Sequence, residues 1–312
     1  MSFSFAFLLF TMPSFTHKAA NSLLFPVGLA AVAYAGACFA LYRHQHKLIF
    51  RPLDSIVMTP ADKGLAYEDV WIPVTSELGQ AAGTLHGWWL PNPGTGRTLL
   101  FFHGNYGNIS YNLERIRFHH SLGFSVLAVD YRGFGQSSPL TPTEQTTYAD
   151  AEAAWQHLTG CRQIVPEQIT VMGHSMGGAI AIDLATRHSD MAGLIVKSSF
   201  TTLRDAVEAR PIYRLFPIEY MLREPFDSLS KVAQLKVPVL YIHGDRDPDV
   251  PAEMSQRLYD ASPAPKQLWF ATGADHNNIS SFTGEAYSKV IKDFSQSTVR
   301  AGSRPALQAT AS

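Results

Sequence analysis

From about residue 48 onward, short apolar runs alternate with longer mixed stretches, the rhythm of strands and helices taken in turn. Leu65 to Ile72 alternates apolar and polar positions, as a half-buried strand does, and Ala82 to Leu90 reads as its hairpin partner after a turn near Ser76-Glu77-Leu78-Gly79. The runs Thr98–Phe102, Phe124–Val129, Gln168–Met172, Ala192–Val196, Val237–Ile242 and Lys266–Phe270 are apolar almost throughout. Continuous apolarity suits strands covered on both faces. Helical stretches lie between them, one from about Tyr106 to His120 and one through Ala179–Ile182. Another opens at Thr141-Pro142-Thr143-Glu144, with Thr141 as N-cap, proline in the first position and Glu144 closing a capping box. Repeated strand–helix–strand units predict an α/β domain over residues 48–296, a doubly wound, mostly parallel sheet with helices on both faces. The stretch 201–235 is long for a crossover and holds Pro211, Phe216, Tyr220, Met221 and Phe226, so it is either a short lid or a crossover with an extra helix. The Ser/Ala/Thr-rich tail, 297–312, reads as disordered.

The N-terminus follows another rule. Between Lys18 and Arg43 lie 24 positions without a charge, enough for a helix to cross a bilayer. Residues 23–42 are the predicted transmembrane helix or signal anchor, with Pro26 in its first turn, behind an apolar extension, 1–22. The alternative is export with cleavage at Ala33-Tyr34-Ala35 or Ala35-Gly36-Ala37. The uncharged run exceeds a usual signal core of 7–15 residues, which favours a single-pass anchor. Arg43, Lys47 and Arg51 follow the run while Lys18 precedes it, a bias toward a cytoplasmic C-terminal side that leaves the side of the membrane open.

Charge adds an exclusion. The formal net charge is −1 with no basic stripe, so nucleic acid is not an expected partner. The two cysteines, Cys38 and Cys161, do not form a disulfide framework, and no metal-type Cys/His spacing, phosphate loop or flavin signature is present, so no metal or cofactor is expected.

The chemistry is concentrated in Gly173-His174-Ser175-Met176-Gly177, a G-x-S-x-G turn between a predicted strand and a predicted helix. Such a turn exposes a serine hydroxyl above a sheet, and its glycines let strand and helix pass closely. A serine needs a base to take its proton, and the base needs a carboxylate to orient it. Both partners follow in chain order after strands: His243-Gly244-Asp245-Arg246-Asp247-Pro248-Asp249-Val250-Pro251, then Gly273-Ala274-Asp275-His276-Asn277. Three aspartates compete for the acid role on spacing alone. The turn Asp130-Tyr131-Arg132-Gly133-Phe134-Gly135 has the wrong glycine spacing for a dinucleotide loop and reads as packed structure near the site.

These blocks, with His103-Gly104-Asn105-Tyr106-Gly107-Asn108 and the Asp130–Ser137 turn, make the chain from about Leu48 to Phe294 resemble α/β-hydrolase-fold serine hydrolases, most closely the Bem46-like, N-terminally anchored group. The resemblance implies Asp247 as the acid, in an H-G-x-x-D-x-x-V-P frame, with Asp245 and Asp249 as turn residues. It implies His276 as base and Ser175 as nucleophile. It also implies an oxyanion hole from the backbone N–H groups of Asn105 and Met176, with His103, Gly104, Gly173, His174 and Gly177 as framework. The sequence departs from the usual G-A-G-H block by placing Asp275 before the histidine.

The expected activity is hydrolysis of a small-molecule ester, thioester or other acyl substrate through an acyl-enzyme. A peptidase of the same fold is the alternative, with Glu208, Glu219, Glu224, Asp205 and Asp227 as the acidic residues available to capture an amino group in the 201–235 segment. A non-catalytic scaffold at the membrane is the other, and a complete Ser, Asp and His set speaks against it.

Overall fold

A computed structural model describes the backbone of residues 17–75, 79–263 and 265–302. The chain divides into two units, Met1–Gln45 and His46–Ser312. The first contains most of α1 (His17–Ile49), whose stretch Phe25–Ile49 has a mean hydropathy of 1.7 and is long and apolar enough to cross a membrane. Its side chains from Phe25 to Phe39 are mostly exposed. Pro26 lies inside this helix rather than in its first turn, because the helix begins nine residues earlier, at His17. Residues 1–16 of the predicted extension lie outside the described residues.

The second unit opens with β1 (Arg51–Pro52), β2 (Glu68–Thr75), β3 (Ala81–Leu90), β4 (Thr98–Phe102) and β5 (Tyr106–Gly107). Then come α2 (Leu113–Ser121), β6 (Ser125–Val129), α3 (Glu144–Gln156), β7 (Ile169–His174), α4 (Met176–Arg187) and β8 (Gly193–Lys197). The short helices α5 (Leu203–Glu208), α6 (Ile218–Met221) and α7 (Ser228–Val232) occupy the 201–235 segment. The unit closes with β9 (Val239–Gly244), α8 (Glu253–Ala261), β10 (Lys266–Ala271), α9 (Ile279–Thr283) and α10 (Glu285–Gly302). An eight-stranded sheet runs β10-β9-β8-β7-β4-β6-β3-β2. Every ladder from β10 to β6 is parallel, while β3 pairs antiparallel with both β6 and β2.

The near-continuous apolarity of the central strands is explained by two cores, one on each face. Val171, Leu194, Val196 and Tyr241 belong to the core that includes Ile180 and Leu184 of α4, whereas Met172, Ile195, Leu240 and Ile242 belong to the one that includes Ile116 of α2 and Tyr287 of α10. Alternate residues of one strand thus serve opposite cores, as the period of two requires.

Three expectations about local structure change. The helix expected from Tyr106 does not start there: Tyr106–Gly107 pairs in parallel with Arg51–Pro52, a 3-10 turn covers Ile109–Asn112, and α2 begins at Leu113. Asn108 accounts for the delay, since its amide donates to the carbonyls of Leu53 and Ser55 and its Oδ1 caps Ser110 N–H. The N-cap of α3 is Thr143, whose hydroxyl accepts from Thr146 N–H at 3.1 Å, and not Thr141. Glu144, freed from a capping box, is buried and accepts from Phe226 N–H and Tyr148 Oη, tying α3 to the 201–235 segment. The tail is helical as far as Gly302, because the amphipathic period of α10 continues past Phe294 and keeps Ser295 and Thr298 buried. Residues 303–312, and Ser76–Leu78 of the predicted hairpin turn, lie outside the described residues.

The cap assignment has a direct test. Thr143→Ala lowers the unfolding free energy by about 1 kcal/mol in urea titrations of the detergent-solubilised chain. Thr141→Ala, at an exposed position ahead of the helix, changes it by less than about 0.5 kcal/mol. Equal effects at the two positions would overturn the assignment.

Candidate active site

Ser175 sits between the end of β7 and the start of α4, with φ 55° and ψ −122°. A non-glycine residue adopts that conformation only where its surroundings hold it. Here they do. Ser175 N–H donates to Lys197 O at 2.9 Å, and Ser175 O accepts from Ser199 Oγ and Gly178 N–H, both at 2.9 Å. The neighbouring glycines are required by contact: a Cβ on Gly173 would strike the Gly177 carbonyl, and one on Gly177 would strike the carbonyls of Phe102 and His103. Met176 opens α4, so its N–H has no carbonyl one turn back within the helix.

The loop after β4 lies against this turn. A Cβ built on Gly104 would stand 3.4 Å from Ser175 Cβ and 3.9 Å from its Oγ. The loop is pinned from both ends. Buried His103 places Nδ1 2.7 Å from Gly104 O and Nε2 3.2 Å from the buried Asp130 carboxylate. Asp130 also accepts from Ile109 N–H at 2.8 Å, and Tyr131 Oη donates to His103 O. The Asp130–Gly135 turn is therefore the wall behind the loop. On the other side, Asn105 Nδ2 donates to Ile49 O at 2.7 Å and Asn105 O accepts from Arg51 N–H at 2.8 Å.

Asp247 and His276 come from the loops after β9 and β10. His276 Nδ1 and Asp247 Oδ2 are 2.7 Å apart. A carboxylate only accepts, so the imidazole proton sits on Nδ1 and Nε2 is left basic. Asp247 Oδ1 accepts from the N–H groups of Asp249 and Val250, both at 2.9 Å, and His243 Nε2 lies 3.1 Å from Oδ2. Burial is the largest influence on this carboxyl and pushes its pKa up. The hydrogen bonds from His243 and His276, the charge of His276 and the N–H of Val250 outweigh burial together and hold it well below the usual carboxylate range. Asp245 and Asp249 point elsewhere: Asp245 accepts from Gly273 N–H, and Asp249 pairs with Arg210 at 2.9 Å. Asp247, Asp249 and His276 bring ligand-type atoms within 4.8 Å of one another. Those of Asp247 and Asp249 are already engaged by N–H groups and Arg210, which makes the trio a poor cation site.

Ser175 Oγ makes no hydrogen bond to His276 among the described residues. The link between the two loops runs through His174, next to the serine, whose ring lies 4.9 Å from that of His276 in edge-to-face contact. Burial, followed by nearby positive charge, pushes His174 well below the usual histidine value, so it stays neutral.

With this geometry in place, relatives become informative. Residues 97–214 match the family model for the α/β hydrolase fold. The α/β hydrolase domain-containing protein WAV2 of Arabidopsis thaliana is 31% identical over 74% of this chain and 80% of its own length. The chain belongs to the α/β-hydrolase family. This α/β hydrolase is also 29% identical to the protein bem46 of Schizosaccharomyces pombe, across 81% of its own chain and 86% of that one. Among solved structures, an esterase of Pyrococcus furiosus superposes with a TM-score of 0.66 at 25% identity, covering 80% of this chain and 98% of the esterase.

Two neighbours of the site were not singled out in the sequence. His243 appeared only as part of a motif, yet it grips Asp247 from the β9 strand. Lys197, ending the run Gly193-Leu194-Ile195-Val196, is fully buried; a lysine closing an apolar strand was the available signal.

The low Asp247 pKa sets a pH signature. Its stabilisation is complete above the unfolded value near 4 and is lost as pH falls toward the lower folded value. Unfolding free energy of the wild type therefore declines below about pH 4 more steeply than that of Asp247→Asn, measured by denaturant titration across that range. Parallel curves for the two proteins would refute the assignment.

Proposed function

We propose that this α/β hydrolase is a serine hydrolase that cleaves carboxylic esters or thioesters through an acyl-enzyme. The observation that carries the reading is the 2.7 Å Asp247–His276 pair, delivered by successive loops to the same carboxyl edge of the sheet as the strained Ser175 turn. In this reading His276 Nε2 takes the Ser175 proton as Oγ bonds to the acyl carbon. The oxyanion is met by the N–H groups of Asn105 and Met176, each worth about 10²–10³ in rate. His276 then gives the proton to the leaving alcohol or thiol. Water attacks the acyl-enzyme with His276 again as base, and Ser175 leaves with the proton returned. Asp247 remains ionised throughout, fixing the tautomer and stabilising the imidazolium. Esterase chemistry in a structural neighbour favours esters over peptides.

We further infer that α1 anchors the enzyme in a membrane, on the strength of its apolar length and mostly exposed side chains. The substrate would then be an acyl compound met at or near the bilayer.

The full chain in non-ionic detergent is expected to hydrolyse p-nitrophenyl butyrate. Ser175→Ala should lower kcat by about 10⁴-fold or more, and Asp247→Asn by about 10³–10⁴-fold. A folded wild type with no activity, or a Ser175→Ala variant as active as wild type, would sink the reading. Anchoring is checked by alkaline carbonate extraction of membranes: the intact chain stays in the pellet, and its release would count against a spanning helix.

A further inference from the structure

On the α2/α10 side of the sheet, beneath His276, buried hydrogen-bond donors gather without acceptors. His174 and Lys197 are register partners on adjacent parallel strands, so their side chains leave the same face. It is the face of Met172 and Ile195, two residues earlier, which pack with Ile116 of α2 and Tyr287 of α10. Lys197 is fully buried, its Nζ 5.5 Å from the Tyr287 ring centre. Among the described residues Lys197 Nζ has no hydrogen-bond partner, and neither has either ring nitrogen of His174. Arg115 Nε is sealed and unpaired as well, although the other guanidinium nitrogens bind Asn112 Oδ1 at 2.6 Å and Asn277 Oδ1 at 2.9 Å.

Acceptors on His119 and Asp275 are in use elsewhere. His119 places Nδ1 2.8 Å from Arg115 O, so that nitrogen carries the proton, and its Nε2 lies 3.3 Å from Tyr287 Oη. Asp275 is the carboxylate whose charge reaches both Lys197 and Arg115, but its Oδ1 already accepts from the N–H groups of Asn277 and Asn278. A buried amine without a counter-charge is costly, and a cluster of such donors is more so.

We propose that Lys197, His174 and Arg115, with Tyr287 and His119 closing the sides, enclose a binding site for a small monatomic anion of the halide class, chloride being the physiological member. The donors come from two adjacent strands and a helix with these nitrogens buried, and the guanidinium fork that would suit a carboxylate or phosphate faces Asn112 and Asn277 instead. Such an anion supplies the charge that burial and the Arg115 charge deny the lysine; both push its amine pKa well down. Because Arg115 also grips the Asn277 carbonyl and side chain, the bound ion ties α2 to the loop that carries His276.

The test does not depend on catalysis, so it stands or falls apart from the hydrolase reading. Thermal unfolding of the full chain in non-ionic detergent is followed over a chloride series, with gluconate holding ionic strength constant. Each tenfold rise in chloride above the dissociation constant should raise Tm by about 2–3 °C for a domain of this size, and Lys197→Met should abolish the dependence. A wild-type Tm indifferent to chloride, or an equal response in the variant, overturns the proposal. Should the variant fail to fold, wild-type crystals soaked in bromide decide: an anomalous peak against Lys197 Nζ supports the site, and its absence there, with water alone bound, refutes it.

Discussion

The close approach of α4 to the strands beneath it is the constraint on which the rest depends. Backbone meets backbone where Gly177 passes the carbonyls of Phe102 and His103, and where Gly173 passes Gly177. No side chain fits in either gap. This contact lets a serine stand at the head of a helix in a conformation that isolated chains avoid, and it fixes the serine's height above the sheet. Apolar burial on both faces of the sheet stabilises the arrangement, since strain of about 1–3 kcal/mol at one residue persists only where the surroundings over-determine it. The loop carrying Asn105 and the loops carrying Asp247 and His276 are then placed by the same strand ends.

Electrostatics at the site is a contest that hydrogen bonding wins. Asp247 loses hydration on burial, and the hydrogen bonds from His243 and His276, the charge of His276 and the N–H of Val250 together outweigh that loss. The carboxylate therefore stays ionised at neutral pH, with Asp249 N–H as a further donor. Beneath it, Lys197 shows the opposite outcome: burial without enough acceptors drives the amine toward its neutral form. The two groups are held by neighbouring strand ends, and the difference between them is the number of hydrogen-bond partners each one finds.

Much of this was legible in the sequence because the relevant signals are local. The apolar runs that mark β4, β6, β7, β8 and β9 are short and apolar almost throughout, as strands buried on both sides are. The G-x-S-x-G turn is fixed by backbone geometry within a few residues, which is why it can be read without a fold, whereas the choice of Asp247 among three aspartates rested on the family resemblance. The errors fell where distant chain decides. Asn108 delays α2 by binding the carbonyls of Leu53 and Ser55, and nothing near Asn108 announces that. Glu144 looked like half of a capping box, yet it serves Phe226, far along the chain. Lys197 ends a run whose other members are apolar or glycine, and the run's pattern could not say that the lysine would be sealed under α10.

The ladder between β1 and β5 has a mechanical side. Ile49, the last residue of the apolar helix, and Arg51 just past it hold the side chain and carbonyl of Asn105, and Leu53 and Ser55 hold Asn108. The stretch linking α1 to the catalytic-type fold is thus a splint for the loop beside Ser175 and not a slack tether. Any version of the protein made without the apolar helix must be cut upstream of Ile49, because a cut only a few residues later would carry away the splint along with the helix. A pull along the chain at that junction would also reach the loop directly, through hydrogen bonds that shear in parallel.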